Sequence, residues 1–410
     1  MIQTTTGSSI SQGPVDYPLT FSVQNTSREI MPSSEVQEPV GYPPVPSKQD
    51  ELQQSLLIGK HETSIAFDDK PTIPESLYKY RICHGQQVSS LEKDLGALVD
   101  QSLKPSKQCV AASAYEDELP SPARWLLAVL IPVAVAVWGL KGRSVSISGA
   151  VAGFVVGFLL TVSSYQFLVC LLVFFVSSSK ATKFRSWKKK KYESEFKEGG
   201  ERNWIQVISN GGIPSELALL FMIECGVGER PIDFIKDYNC SWFAVSVVSA
   251  LCGANGDTWA SELGPVFAKG DPILITNLRK VPKGTNGGVS LPGLLFSALG
   301  GTLIGISYYI SHLLFIKQEY LFLSSPQWPI IIIATFAGFF GSLVDSLLGA
   351  TIQFSGINQK SGKIVETKGK EIKHISGIGI LDNHSVNLVS TLITALLMPE
   401  VASALWPMFE

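Results

Sequence analysis

An apolar run near the ~20 residues that cross a bilayer leaves a chain little choice of fold. This sequence has seven or eight of them in succession, covering approximately residues 124–140, 144–162, 165–179, 203–224, 241–255, 289–316, 328–350 and 386–406. Backbone groups in hydrocarbon must be satisfied within their own segment, so each run reads as a helix. The fold class is therefore expected to be all-α, a polytopic integral membrane helical bundle of about seven or eight spans within residues 121–410. Only Ser163 and Ser164 part the second and third runs, which fit either a hairpin or one tilted unit. Glycines recur at Gly149, Gly153 and Gly157, and at Gly301 and Gly305, a spacing that suits close helix packing in lipid.

Residues 1–120 differ in kind, being rich in Ser, Pro, Gln, Thr and Glu. They read as a disordered polar N-terminal tail without a signal peptide, with some helical periodicity between 76 and 99. The balance of 33 Lys+Arg against 35 Asp+Glu excludes a nucleic-acid partner, and no motif names a protein partner. Six scattered cysteines without a CxxC spacing suggest neither a zinc site nor a disulfide framework.

Basic residues set the orientation. They gather at 180–202, which includes Lys188 to Lys191, around 269–283, and at 355–379. Counting spans puts all three loops on one face, expected to be cytosolic, in the endoplasmic reticulum or another endomembrane. The Asn239-Cys240-Ser241 sequon falls on the opposite face. Eight spans would place the long tail opposite the lysines, and an odd count would place it with them.

Acids inside membrane segments are costly and point to function. Glu216 follows Gly211, Gly212 and Pro214, a pattern that predicts a broken helix. Asp257, Glu262, Asp345 and Asp382 all fall toward the lysine-rich face, and their helix ends are expected to converge there. After Asp257 and Glu262 come Lys280, Lys283 and the run Gly284-Thr285-Asn286-Gly287-Gly288, which leads into the next helix. Carboxylates can hold Mg²⁺, cations can neutralise phosphate, and a glycine-rich loop at a helix start can offer backbone N–H groups to phosphate oxygens. Their spacing suggests one loop with its flanking helix ends.

At these residues the chain resembles the transmembrane protein 19 family, a polytopic group that includes the plant phytyl-phosphate kinases. The likeness covers roughly residues 122–407, through runs such as Lys197-Glu198-Gly199-Gly200-Glu201-Arg202-Asn203-Trp204 and Ser342-Leu343-Val344-Asp345-Ser346. A fainter similarity reaches the CTP-dependent polyprenol kinases through Gly256-Asp257-Thr258-Trp259-Ala260-Ser261 and Pro282-Lys283-Gly284-Thr285-Asn286-Gly287. Lys283 interrupts that second motif, and Asn286-Gly287-Gly288 stands where it would carry lysines.

The resemblance implies a kinase of an isoprenoid alcohol or isoprenoid monophosphate, taking a nucleoside triphosphate, CTP favoured, with Mg²⁺. Asp257 and Glu262 would hold the metal; Lys280, Lys283, Gly284, Thr285, Asn286, Gly287 and Gly288 would cradle phosphates; Asp345 or Asp382 would position the acceptor or a second metal. Membrane lipid is the expected partner. Two other readings stay open, a transporter or channel with a midplane site at Glu216, and a non-catalytic membrane scaffold.

Overall fold

The computed structural model describes residues 120–185 and 200–409. All but the last residue of the expected tail, and the loop with Lys188 to Lys191, lie outside the described residues. The chain runs through α1 (Pro122–Lys141), α2 (Ile147–Ser163), α3 (Tyr165–Lys183), α4 (Trp204–Cys225) and α5 (Tyr238–Phe267). There follow β1 (Ile273–Leu274), β2 (Gly288–Val289), α6 (Leu291–Phe315), the short α7 (Gln318–Leu323) and α8 (Pro329–Thr351). Last come β3 (Ser355–Asn358), β4 (Ile364–Val365), β5 (Ile372–Ser376), α9 (Asn383–Leu405) and a 3-10 turn at Trp406–Phe409. The protein is a polytopic all-α membrane bundle. Among the described residues five helices, α1, α3, α6, α8 and α9, are long and apolar enough to cross a membrane unaided. The apolar α2 is shorter, at 17 residues, while α4 and α5 carry polar side chains inward.

Side-chain caps decide where helices begin. Ser121, Ser146, Asn203, Ser290 and Asp382 each accept from a backbone N–H in the first turn of the helix that follows. Ser164 both ends α2 and caps α3 in an extended conformation, so these are two helices in a hairpin rather than one tilted unit.

The axis of the bundle is α5. Its residues from Ala244 to Gly256 are buried without interruption, as expected of a helix enclosed on all sides. In lipid the hydrophobic effect contributes little to helix association, so contact must come from close approach of backbones. A Cβ on Gly256 would meet the Gly338 carbonyl oxygen at 2.5 Å, and one on Gly301 would meet the Ala334 oxygen at 2.2 Å. No larger residue fits between α5, α6 and α8 at these points.

End contacts sort the bundle into two faces. On one, Arg124 pairs with both oxygens of Glu229 (3.0 and 2.9 Å), Tyr165 N donates to Glu229 (2.9 Å), and Gln327 exchanges hydrogen bonds with the Ile232 backbone. The start of α1 and the end of α9 both lie here. On the other, Lys183 donates to the Gly142 carbonyl (2.6 Å) and Ser146 N to the Arg202 carbonyl (2.9 Å). Small antiparallel sheets, β1 with β2 and β3 between β4 and β5, stand at the ends of the helices here.

Three expectations need correction. The helix holding Glu216 is unbroken, because Pro214 is absorbed into α4 and Ser215 donates back to the Gly211 carbonyl at 2.6 Å. The fifth apolar run does not end near Asn255. It continues as helix to Phe267 and carries Asp257 and Glu262 near its end. The cysteines do include a disulfide, Cys225–Cys240, which joins the end of α4 to the start of α5. It lies on the face opposite the lysine-rich loops, and structural disulfides persist in oxidising compartments.

Candidate functional site

The ends of α4, α5, α6, α8 and α9 surround a polar cavity of about 510 Å³ on the lysine-rich face. That volume is in the usual range for small-molecule sites. The fourth, fifth, seventh and eighth apolar runs meet here as their sequence predicts, and the sixth joins them.

Asp257 of α5 and Asp345 of α8 both line the cavity, each half-buried. Ser342 Oγ donates to Asp257 Oδ1 at 3.3 Å. Ser390 Oγ of α9 donates to Asp345 Oδ2 at 3.1 Å, and the Asn387 amide nitrogen reaches the same oxygen at 3.3 Å. The second oxygen of each carboxylate has no donor among the described residues. Ser342, one turn before Asp345 on α8, links the two acids' helices at the cavity. Glu262 also lines the cavity, but five residues along a helix turns it about 140° from Asp257.

The glycine-rich loop borders the same space, with Lys283, Gly284, Thr285, Asn286, Gly287 and Gly288 all on the cavity wall. Much of its hydrogen bonding is already committed. Thr285 N donates to the Pro282 carbonyl, Gly288 N to the Thr285 carbonyl, and Asn286 N to Ser355 Oγ. Gly287 has φ +77°, and a Cβ there would meet Ala350 at 2.4 Å, so this glycine seats the loop on α8. Lys283 Nζ donates to the Ala268 and Pro265 carbonyls (2.8 and 3.3 Å), completing the C-terminal end of α5.

Three expected residues stand apart from the cavity. Lys280 is exposed and bridged to Ile273. Asp382 is exposed and accepts from Ser385 N at 2.9 Å as the N-cap of α9; the Ser385 side chain, and after it the Ser385 N–H, hold its carboxyl below the usual carboxylate range. Glu216 is on the exposed outer side of α4 and does not line the cavity.

Sequence reasoning missed Arg202. Its guanidinium lies at the cavity, donating to Ser179 Oγ (3.0 Å) and Thr182 Oγ1 (3.4 Å), with no carboxylate partner among the described residues. Burial lowers it to about 10, which leaves it charged at neutral pH. Gln206 and Asn210 extend the same wall from α4, and Asn383, His384 and Asn387 form the α9 side. The first turns of α4, α6 and α9 all border the cavity, so three helix dipoles present their positive ends to it. Oxygen donors on α5 and α8 thus face an anion-attracting rim.

Among the described residues no three His, Cys, Asp or Glu side chains cluster tightly enough to hold a metal by themselves. Two carboxylates with an uncommitted oxygen each do suit Mg²⁺. That ion is usually held by one or two carboxylates, with water and substrate phosphates completing its shell.

A family model described as integral membrane protein DUF92 matches residues 130–395. Protein PGR of Arabidopsis thaliana is 40% identical over 274 residues, covering 67% of this chain and 94% of the relative. Uncharacterized membrane protein MJ0933 of Methanocaldococcus jannaschii is 28% identical, covering 68% and 94% respectively. Protein VTE6, chloroplastic, also of Arabidopsis thaliana, is 28% identical over 56% of this chain and 63% of its own length. No solved structure matches the chain.

Proposed function

The chain belongs to the DUF92 integral membrane family, and on that premise we propose that its polar cavity transfers a phosphoryl group to a membrane lipid. The acceptor is an isoprenoid alcohol or isoprenoid monophosphate, and the donor a nucleoside triphosphate, with CTP favoured. The observation that carries this reading is the meeting of Asp257 and Asp345 with the 283–288 loop and Arg202 around one cavity. The resemblance to the transmembrane protein 19 family supports an isoprenoid acceptor.

Asp257 and Asp345 would hold Mg²⁺, which would supply positive charge against the phosphates. Ser342, Ser390 and Asn387 fix the two carboxylates. Arg202 and the starts of α4, α6 and α9 favour the negative charge of the phosphates. The acceptor oxygen bonds to the terminal phosphorus of the donor as the bond to the nucleoside diphosphate breaks, and an alcohol acceptor's proton passes to solvent in the polar cavity. The lysine-rich face is cytosolic in this reading. The disulfide face then meets the oxidising lumen of the endoplasmic reticulum or another endomembrane.

The test is nucleotide binding by the purified chain with and without Mg²⁺, comparing CTP, ATP and GTP. Mg²⁺-dependent binding with CTP tightest supports the proposal. No binding of any triphosphate, together with ion flux in proteoliposomes, overturns it in favour of a transporter.

A further inference from the structure

A second, narrower cavity of about 100 Å³ lies between α1, α2, α3 and α4. Its walls are apolar along most of their length, formed by side chains such as Val135, Leu171 and Phe175. At one end they turn polar, and the residues there, Arg202, Gln206, Asn210 and Thr258, also line the large polar cavity. The two spaces therefore share one wall, with a guanidinium at the junction.

The α2 glycines differ in what they do. A Cβ on Gly149 would meet the Arg202 carbonyl oxygen at 2.1 Å, and one on Gly157 would meet Pro132 at 3.0 Å, so both are needed for packing. A Cβ on Gly153 would meet nothing within 4 Å. Gly153 lines the slot and is half-buried, as are Val135 and Ala136 across from it. Packing does not explain this glycine. It keeps the slot clear.

We propose that this slot holds the hydrocarbon chain of the lipid substrate, whose phosphate end, on acceptor or product, sits at Arg202 in the polar cavity. The inference rests on the phosphoryl-transfer reading for its occupant. The polar residues that the two spaces share favour that occupant over bulk lipid. A chain in the slot must leave its head among Arg202, Gln206 and Asn210, where a charged group gains hydrogen bonds and an apolar one would leave a guanidinium without an anion. Gly153 is then a specificity-determining residue, and side chains grown from it shorten the usable slot.

The test uses the full chain in detergent, with wild type, Gly153→Leu, Gly153→Ala and Arg202→Gln. The probes are a long-chain isoprenyl monophosphate, a single-isoprene monophosphate, the long-chain alcohol, a phosphatidylcholine and inorganic phosphate, read by ligand-induced shifts in Tm. The long-chain monophosphate should bind wild type at least about tenfold more tightly than the single-isoprene one. Gly153→Leu should erase that difference, Gly153→Ala should narrow it, and Arg202→Gln should weaken both monophosphates relative to the alcohol. Because Gly153 faces open space, an unchanged unliganded Tm is the check that Gly153→Leu is folded; were it to unfold, Gly153→Ala carries the comparison. Long-chain binding by a folded Gly153→Leu as tight as wild type overturns the proposal. So does phosphatidylcholine that competes as well as the monophosphate, or inorganic phosphate that binds as tightly as the long chain. Nucleotide binding is measured on the same preparations. Its absence beside chain-length-dependent lipid binding would defeat the phosphoryl-transfer reading and leave the slot standing.

Discussion

Ser342 donates to Asp257 at 3.3 Å from three residues before Asp345, on the helix that carries that second acid. One turn of α8 thus both steadies the carboxylate of α5 and supplies its neighbour. The glycine contacts between Gly256 and Gly338 bring the two backbones close enough for this to happen. Packing and chemistry are coupled at this one crossing.

Ser342→Ala removes one hydrogen bond to a carboxylate and leaves the acid in place. Turnover should fall about tenfold and stability by about 1 kcal/mol, since a single bond of this kind has a modest net value. Steady-state kinetics with a thermal melt of the same sample checks both. A loss as complete as that from removing Asp257 itself would mean that Ser342 does more than orient.

Arg202→Gln should weaken binding of phosphate-bearing ligands about tenfold or more while leaving the unliganded Tm level or raised. The guanidinium bonds to two hydroxyls and has no acid partner among the described residues, so its removal breaks no ion pair. Wild type should gain Tm on adding a lipid phosphate, through preferential binding to the folded state. The Arg202 charge stays in place as pH rises toward about 10. Its contribution to ligand binding should therefore be flat between pH 6 and about 9. Isothermal binding across that range tests the point, and a fall centred near neutrality would assign the anion to another group.

Joint replacement of Cys225 and Cys240 by serine should cost about 3 kcal/mol, the chain-entropy value for closing a 15-residue loop. Reductant should lower the wild-type Tm and leave the double variant unmoved. The same bond bears on orientation. An acceptor sequon introduced near residue 190 should remain unglycosylated, and glycosylation there would reverse the two faces.

Asp382 is expected to act as a cap. Asp382→Asn should leave turnover and Tm nearly unchanged, because Asn caps about as well, whereas Asp382→Ala should cost about 1 kcal/mol. Hydrogen bonding depresses the folded carboxyl relative to the unfolded one. Its stabilising share is complete above the unfolded value of about 3.9 and is lost as pH falls through the lower folded value. Acid melts of wild type and Asp382→Asn should therefore diverge only below about pH 4. Lost turnover in a stable Asp382→Asn would return this residue to the chemistry.

The bundle was legible because eight apolar runs each became a helix, and because acids such as Asp257 and Asp345 fall at one end of their segments. The extent of α5 was not. Polar residues after Asn255 look like a loop, yet Thr258 and Ser261 hydroxyls bond back to the Ala254 and Asp257 carbonyls within a continuing helix. Arg202 was hidden by charge. It closes a stretch with many lysines, and only the tertiary fold shows that it lines the cavity. Glu262 is near Asp257 in sequence, whereas Asp345 reaches the same cavity through the backbone contact between Gly256 and Gly338. Cys225 and Cys240 carry no spacing signature, and their pairing follows from the turn between α4 and α5. Gly153 could not be told from Gly149 and Gly157, since all three share one spacing and only their neighbours differ.

The most direct measurement is Mg²⁺-dependent nucleotide turnover by wild type and Asp257→Asn, with Tm recorded on the same samples. Asparagine keeps the size of the side chain and can still accept from Ser342, but it removes the charge that a hard cation requires. Turnover should fall about 100-fold or more, as when an electrostatic element of a site is removed, while Tm stays within about 2 °C. Turnover equal to wild type in a folded Asp257→Asn would contradict phosphoryl transfer at this cavity.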